Sequence, residues 1–294
     1  MELHQLRYVI AVAEEGSFTR AADRLYLAQP SLSVQVRKLE QELGTQLFHR
    51  LGRRVALTSA GEAFLPHARR ALFEIEQARE QVEAVLGLRL GRVALGVLPS
   101  VGSALLPDIL AAFKARYPGV DVRLLEDNVS LEFERMVHAG QLDLAVIRMP
   151  CTRRDLSAQT LVREPMVALV SASHRLAGRP DISLTELVGE EFVTMKPGHG
   201  LRELIVDVCA RAGFEPRITV ETGQLSIVRG MVRAGVGVSV LPRLAAGREN
   251  RLLPLTEPYA RRELGVVWRA DHPLPTPTGA FLTMLLDGAS DHVS

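Results

Sequence analysis

The stretch Phe18–Leu43, FTRAADRLYLAQPSLSVQVRKLEQEL, decides how the N-terminal part folds. Ser17 stands before Phe18-Thr19-Arg20-Ala21-Ala22-Asp23-Arg24-Leu25, a short amphipathic run, and a serine there predicts a helix N-cap. Tyr26-Leu27 leaves room only for a tight connection. Ala28-Gln29-Pro30-Ser31-Leu32-Ser33 then opens a second helix, because proline fits a first turn whose N–H has no partner anyway. Leu32, Val36, Leu39 and Leu43 recur at helical spacing until Gly44 ends the run. Upstream, Leu3, Leu6, Tyr8-Val9-Ile10 and Val12-Ala13 predict a first helix ending near Gly16. Downstream, Phe48-His49-Arg50, Leu51-Gly52-Arg53-Arg54 and Val55-Ala56-Leu57-Thr58 read as a hairpin with basic residues at its turn.

Two short helices in tight succession, the second led by small polar residues, form the helix-turn-helix arrangement. Entry into a major groove needs short hydrogen-bonding side chains on the leading turn. Gln29, Ser31, Ser33, Gln35 and Arg37 supply them. Residues 17–58 carry seven basic residues (Arg20, Arg24, Arg37, Lys38, Arg50, Arg53, Arg54) against three acidic ones, while the whole 294-residue chain nets only +1. A local basic cluster is the footprint of phosphate contact. A small helical domain that binds protein is the alternative left by periodicity and charge alone.

The ordered set Phe18-Thr19-Arg20-Ala21-Ala22, Leu27-Ala28-Gln29-Pro30-Ser31-Leu32-Ser33, Leu39-Glu40, Leu43-Gly44, Leu47-Phe48, Arg53, Leu57-Thr58 and Gly61 resembles the N-terminal module of LysR-type transcriptional regulators. The resemblance implies a winged helix-turn-helix over 1–58, with the helix-turn-helix at about 18–37. It implies DNA contact by Thr19, Arg20, Gln29, Pro30, Ser31, Ser33, Gln35, Arg37, Lys38, Arg50, Arg53 and Arg54. Val34 departs from the family, many members of which place a basic or very small residue there. Expected partners are double-stranded DNA with a pseudo-palindromic site, a small-molecule effector and RNA polymerase.

From Ser59 a helical pattern runs to about Leu86. Ala68, Ala71, Ile75, Ala78, Val82 and Val85 alternate spacings of three and four, and Leu72 and Leu86 widen the stripe. A solitary helix cannot bury such a stripe, so self-association is the economical explanation, and the resemblance implies that 59–88 is a linker and dimerisation helix, giving a homodimer or homotetramer. A helix packed on its own domain is the alternative. Two-fold symmetry would place half-sites about one helical turn apart.

After Gly87–Gly91 the pattern changes. Arg92–Val97, Val120–Leu125 and Leu142–Ile147 read as strands, with a loop at Leu98–Gly102 and helices at Ala104–Tyr117 and Leu131–Ala139. Strand and helix alternating through short links predicts a parallel sheet. The grammar restarts with Met166–Ser171, Glu191–Met195, a helix after Gly200, Ile218–Glu221, a helix over Ser226–Ala234 and Val236–Leu241. The expected fold class is α/β, ending in an effector-binding domain over 89–294. Its two lobes are expected at 91–162 plus 268–294 and at 163–267. Leu105-Leu106-Pro107, Phe113, Pro118, Gly140, Leu142-Asp143, Gly235-Val236-Gly237 and Leu241-Pro242 resemble the same family's effector domain, which is similar to periplasmic solute-binding proteins.

Nothing in the chain reads as catalytic. Gly235-Val236-Gly237 lacks a third glycine and precedes a strand, and no G-x-S-x-G, Walker A or H-E-x-x-H occurs. Eight scattered histidines and two distant cysteines give no metal-ligand spacing. No enzyme activity, cofactor or metal is expected. The apolar N-terminal run is too short for a secretory signal, and Val93–Pro107 is interrupted by two prolines and two glycines. A soluble cytoplasmic protein with no membrane partner is expected.

A ligand of an open α/β fold binds beyond the carboxyl ends of strands, at helix N-termini. Ser100 follows the first strand, where a turn or cap serine is the structural alternative; family members often use Ser or Thr there. The expected site comprises Ser100, Val101, Asn128, Val129, Thr194, His199, Gly200 and Leu201, with His199 adding a donor and an anionic effector as ligand. Val129 stands where many relatives contribute a threonine. A solute-binding protein is a second reading, which the helix-turn-helix opposes. A third is a redox sensor using Cys209. Gly198-His199, Leu201-Arg202 and Cys209 are similar to the family's peroxide-sensing branch, which has another cysteine where this chain has Gly200. Leu201, Leu204, Ile205, Val208 and Ala212 form an apolar helical stripe that includes Cys209, so packing accounts for that thiol.

Overall fold

The computed structural model describes residues 1–51, 54–85, 91–247 and 250–290. Two compact units result, Met1–Leu88 with Ala139–Gln141, and Arg89–His138 with Leu142–Ser294.

The first unit contains α1 (Leu3–Glu15), α2 (Phe18–Arg24), α3 (Gln29–Leu43), β1 (Phe48–Leu51), β2 (Arg54–Leu57) and α4 (Ser59–Val85). Gly16 ends α1 in the left-handed region at φ 57°, and the Ser17 hydroxyl accepts the Arg20 N–H to cap α2. The Leu27 N–H donates to the Ala22 carbonyl at 2.9 Å, which draws α3 across α2. Val12, Ala21, Leu32, Val36, Leu39 and Leu47 are almost wholly buried in one core. Fully burying an aliphatic side chain of that size contributes roughly 1.5–3 kcal/mol, so this helical stripe outweighs any local preference of the chain. The Glu40 carboxylate accepts the Leu47 N–H at 2.8 Å and the Phe48 N–H at 3.3 Å, tying α3 to the β1–β2 hairpin. At Gly61 a Cβ would lie 2.1 Å from the Leu47 carbonyl oxygen, so the hairpin and α4 can meet only at glycine.

The second unit runs β3 (Gly91–Val97), α5 (Pro99–Ala104), α6 (Leu106–Arg116), β4 (Val120–Glu126), α7 (Ser130–His138), β5 (Leu144–Arg148) and β6 (Leu156–Val170). It continues through a 3₁₀ turn (Leu184–Leu187), β7 (Glu191–Met195), α8 (Gly200–Arg211), β8 (Arg217–Thr222), α9 (Leu225–Arg233) and β9 (Ser239–Pro242). Last come α10 (Arg243–Ala246), β10 (Arg251–Pro254), β11 (Arg261–Arg269) and α11 (Thr276–Ser290).

Strands β4, β3 and β5 are parallel, as their α-helical crossovers predict. The buried Asp143 carboxylate receives the Ala94 N–H at 2.7 Å and ties the chain entering β5 to β3. Outside that crossover series antiparallel pairing enters. β11 lies antiparallel between β5 and β6, and β9 and β10 pair antiparallel with β6. Both β6 and β11 carry one polar and one apolar segment in series, which hides a single long strand from period counting.

Two apolar cores form. One gathers Leu95, Phe113, Phe133, Leu144, Ile147 and Phe281, the other Leu169, Phe192, Ile205, Cys209, Val228 and Leu241. β6 and β11 pass between them. Leu264, Val266 and Val267 belong to the first core although the expected change of lobe lay at 267/268. The expected loop at Leu98–Gly102 is corrected to the start of α5, since Pro99 occupies a first helical turn. The strand expected from Val236 begins at Ser239, after Gly235 at φ 79° has turned the chain.

Candidate nucleic-acid interface and effector cleft

On α3 the residues opposite the core face solvent. Gln29, Pro30, Ser31, Arg37 and Lys38 are exposed, and so is Thr19 on α2. Val34 shares that surface at 46% exposure and offers only apolar contact. Two of the expected contacts, Ser33 and Gln35, are turned away from the open face. Ser33 is 7% exposed and lies on the core side, one position out of the α3 stripe that faces solvent. Gln35 is half-buried, and its carbonyl oxygen accepts the Gln5 amide at 3.3 Å, holding α1 to α3. Arg20 is exposed, but its guanidinium donates to the Glu15 carbonyl and pairs with the Glu15 carboxylate. Arg24 is held by Glu14 at 2.8 Å. Arg53 lies outside the described residues, as do the side chains of Arg50 and Arg54.

The second unit contains a cavity of about 160 Å³ lined by residues of both cores. Ser100, Asn128 and Val129 line one side, and His199, Gly200 and Leu201 the other. Val101 and Thr194 are not among its lining. Val101 points into the first core from α5, and Thr194 is buried in β7. Leu98, Pro99, Leu131 and Leu225 complete the apolar wall.

Charged residues that sequence reading missed complete the cavity: Arg148, Glu203 and Arg262. Arg262 on β11 is opposite Glu164 on β6 in the antiparallel ladder. Its Nε donates to the Glu164 carboxylate at 2.8 Å, its Nη2 contacts the same oxygen, and its Nη1 donates to the Ser100 hydroxyl at 3.0 Å. The other Glu164 oxygen accepts the Leu244 N–H at 2.7 Å. Burial holds the Arg262 guanidinium below the usual arginine range, Glu164 opposes this, and nearby Arg148 adds to it. An arginine remains cationic through such a shift, so the pair is a buried ion pair. Arg148 at the carboxyl end of β5 donates through Nη1 to the Gly200 carbonyl at 3.0 Å. Its Nη2 stands 3.7 Å from Glu203. The position of Arg148, at the carboxyl end of a strand, was a readable signal; the Glu164–Arg262 pairing needed the ladder register.

His199 caps α8 as an acceptor. Its Nδ1 receives the Leu201 N–H at 3.2 Å, which leaves Nε2 as the nitrogen that can donate. Burial, and to a lesser degree Lys196, push the imidazole below the ordinary histidine value, so the ring is neutral with its remaining proton on Nε2. Gly200 permits the close approach of the facing loop: a Cβ there would lie 3.0 Å from the Asn128 carbonyl oxygen. Cys209 is fully buried in the second core, and burial pushes its thiol up to about 12. A buried protonated thiol is a poor nucleophile toward peroxide, so the setting of Cys209 does not favour the redox alternative.

A helix-turn-helix with an exposed polar face, joined to a two-core α/β unit with a cavity of apolar walls and a few charged groups, defines a DNA-binding regulator with a ligand-binding domain. A family model described as bacterial regulatory helix-turn-helix protein, lysR family, matches residues 3–62, and one described as LysR substrate binding domain matches residues 86–290. The chain belongs to the LysR family and is a LysR-type DNA-binding transcriptional regulator with an effector-binding domain. It is 36% identical over 272 residues to the transcriptional dual regulator GltC of Bacillus subtilis (strain 168), covering 91% of this chain and 90% of that protein. A full-length OxyR variant from Pseudomonas aeruginosa superposes with a TM-score of 0.77 at 29% identity, covering 98% of this chain and 94% of the other. The LysR family transcriptional regulator CbnR superposes with a TM-score of 0.72 at 25% identity, covering 98% and 99%. No helix among the described residues is long and apolar enough to cross a membrane, and no group of three metal-ligating side chains occurs among them.

Proposed function

We propose that the exposed face of α3 reads a promoter through Gln29, Ser31 and Val34, while Arg37 and Lys38 fix its register on phosphates. The supporting observation is the division of one helix. Leu32, Val36 and Leu39 fill the core, while Gln29, Ser31, Arg37 and Lys38 on the same helix face solvent. The hairpin arginines 50, 53 and 54 would add backbone contacts. The second unit binds a small anionic effector in the cavity between its cores, and the chain acts in the cytoplasm by binding rather than by catalysis, with no cofactor.

A homodimer or homotetramer through α4 fits the same reading. Leu65 and Ala68 at the start of α4 are buried in their own unit, but Val82 further along the stripe is 59% exposed. A second copy of this helix would cover it, and a two-fold dimer suits a pseudo-palindromic site. The effector would act by favouring one of two arrangements of the bound regulator, changing DNA bending and access of RNA polymerase. Its leverage is limited to its difference in affinity for the two.

Gel-shift titration of the full chain on its own upstream region tests this. The expected result is a sequence-selective, salt-sensitive shift; no selectivity over a scrambled duplex would sink the reading.

A further inference from the structure

We propose that Arg148 is the anion-selecting residue of the cleft and that Glu203 is a built-in competitor the effector displaces, so the effector is a monoanion with an apolar body. This deepens the reading of the cavity as the effector site and rests on it.

The two arginines at the cavity are not equivalent. Arg262 has three nitrogens engaged, with Glu164 and Ser100, and its side chain is only 1% exposed. Its fork is filled. Arg148 is held more loosely. Its backbone N–H donates to the Ser130 hydroxyl at 3.0 Å, which fixes the end of β5. Its guanidinium meets one neutral carbonyl, that of Gly200, and a carboxylate at 3.7 Å, beyond hydrogen-bonding range. A carboxylate arriving from a ligand can form two parallel charge-assisted bonds to that planar fork.

Charge accounting sets the ligand class. Arg148 and Arg262 are balanced by Glu164 and Glu203, and around His199 the charge of Lys196 is opposed by that of Asp127. Glu164 is locked by Arg262 and by the Leu244 N–H, but the Glu203 side chain is 63% exposed and can turn to water. Once it has turned away, one positive charge is left in the cleft, which a monoanion neutralises and a dianion overshoots. The body of the ligand meets Leu98, Val129, Leu131, Leu201 and Leu225. At the α8 N-terminus the Leu201 N–H is already taken by His199.

The test is calorimetric titration of the full chain with benzoate, its uncharged counterpart benzamide, and the dianion phthalate. In the wild type benzoate binds at least about tenfold tighter than benzamide, as expected for a hydrogen bond to a charged group. Glu203→Gln tightens benzoate about threefold and leaves benzamide unchanged, the scale of an exposed ion pair. Arg148→Met lowers benzoate to the benzamide level, Arg148→Lys restores part of the preference, and phthalate never exceeds benzoate. A purely structural role for Arg148 would weaken both neutral and charged probes together. The proposal is overturned if Arg148→Met keeps the benzoate preference, if Glu203→Gln tightens benzamide equally, if phthalate binds best, or if Glu203→Gln shows no benzoate binding at about 10 mM. None of these titrations contains DNA, so their failure leaves the gel-shift result standing, and the converse also holds.

Discussion

On α3, Gln29, Ser31, Arg37 and Lys38 reach into solvent, whereas in the second unit Ser100, Glu164 and Arg262 are almost wholly buried and bonded to one another. The first surface is built to meet phosphates and bases that bring their own charge, so leaving its groups solvated costs nothing before DNA arrives. The second must hold charges away from water, and a buried charge is tolerated only when its partners are fixed. Substitutions should therefore separate cleanly: those on α3 change affinity with little change in stability, and those at the buried ion pair do the reverse.

The largest expected effect comes from breaking the buried pair. Arg262→Met strands Glu164 in the interior and should cost about 3–5 kcal/mol in urea unfolding, with the Arg262→Met, Glu164→Gln double variant losing less. An unchanged midpoint for the single variant would remove the contrast. On the exposed side, Lys38→Ala should weaken binding to all duplexes alike and reduce the salt slope by about one, while the unfolding curve stays within about 0.5 kcal/mol of wild type.

Smaller effects sharpen the same division. His199 has a folded-state value pushed below its ordinary one, so the unfolded chain takes up the proton first. The stability it contributes is complete above the unfolded value, about 6.5, and declines as pH falls from there toward the depressed folded value. His199→Asn keeps a cap acceptor without titrating, so its loss of stability between pH 7.5 and 5.5 should be smaller than that of the wild type. Equal losses would show that the ring is not buried neutral. The smallest effect is chemical: Cys209, with its thiol pushed up to about 12, should resist iodoacetamide in the folded protein, and Cys209→Ser should leave DNA binding indifferent to peroxide.

Legibility in the sequence follows the same line. The helix-turn-helix is local: Ser17, Pro30 and Gly44 mark helix ends within a few residues of the stripes they frame, and all three act in the structure as their chemistry predicts. The Gly200 turn and the α8 stripe through Cys209 were readable for the same reason. Arg262 lies 98 residues from Glu164 and 162 from Ser100. Nothing in the strand alternation of β11 says which inward charge is neutralised, because that is set by register with β6. Even on α3 periodicity had limits, since Ser33 and Gln35 look like groove residues until the rotation of the helix against α1 is known.

The most direct test of the central claim is fluorescence anisotropy of the full chain on its upstream duplex and on a scrambled one, across a salt series. Preferential binding to the upstream duplex is expected, with a log–log salt slope of about −0.9 for each phosphate neutralised, shallower by about one in Lys38→Ala. Equal affinity for both duplexes, or a slope that Lys38→Ala leaves untouched, would contradict it.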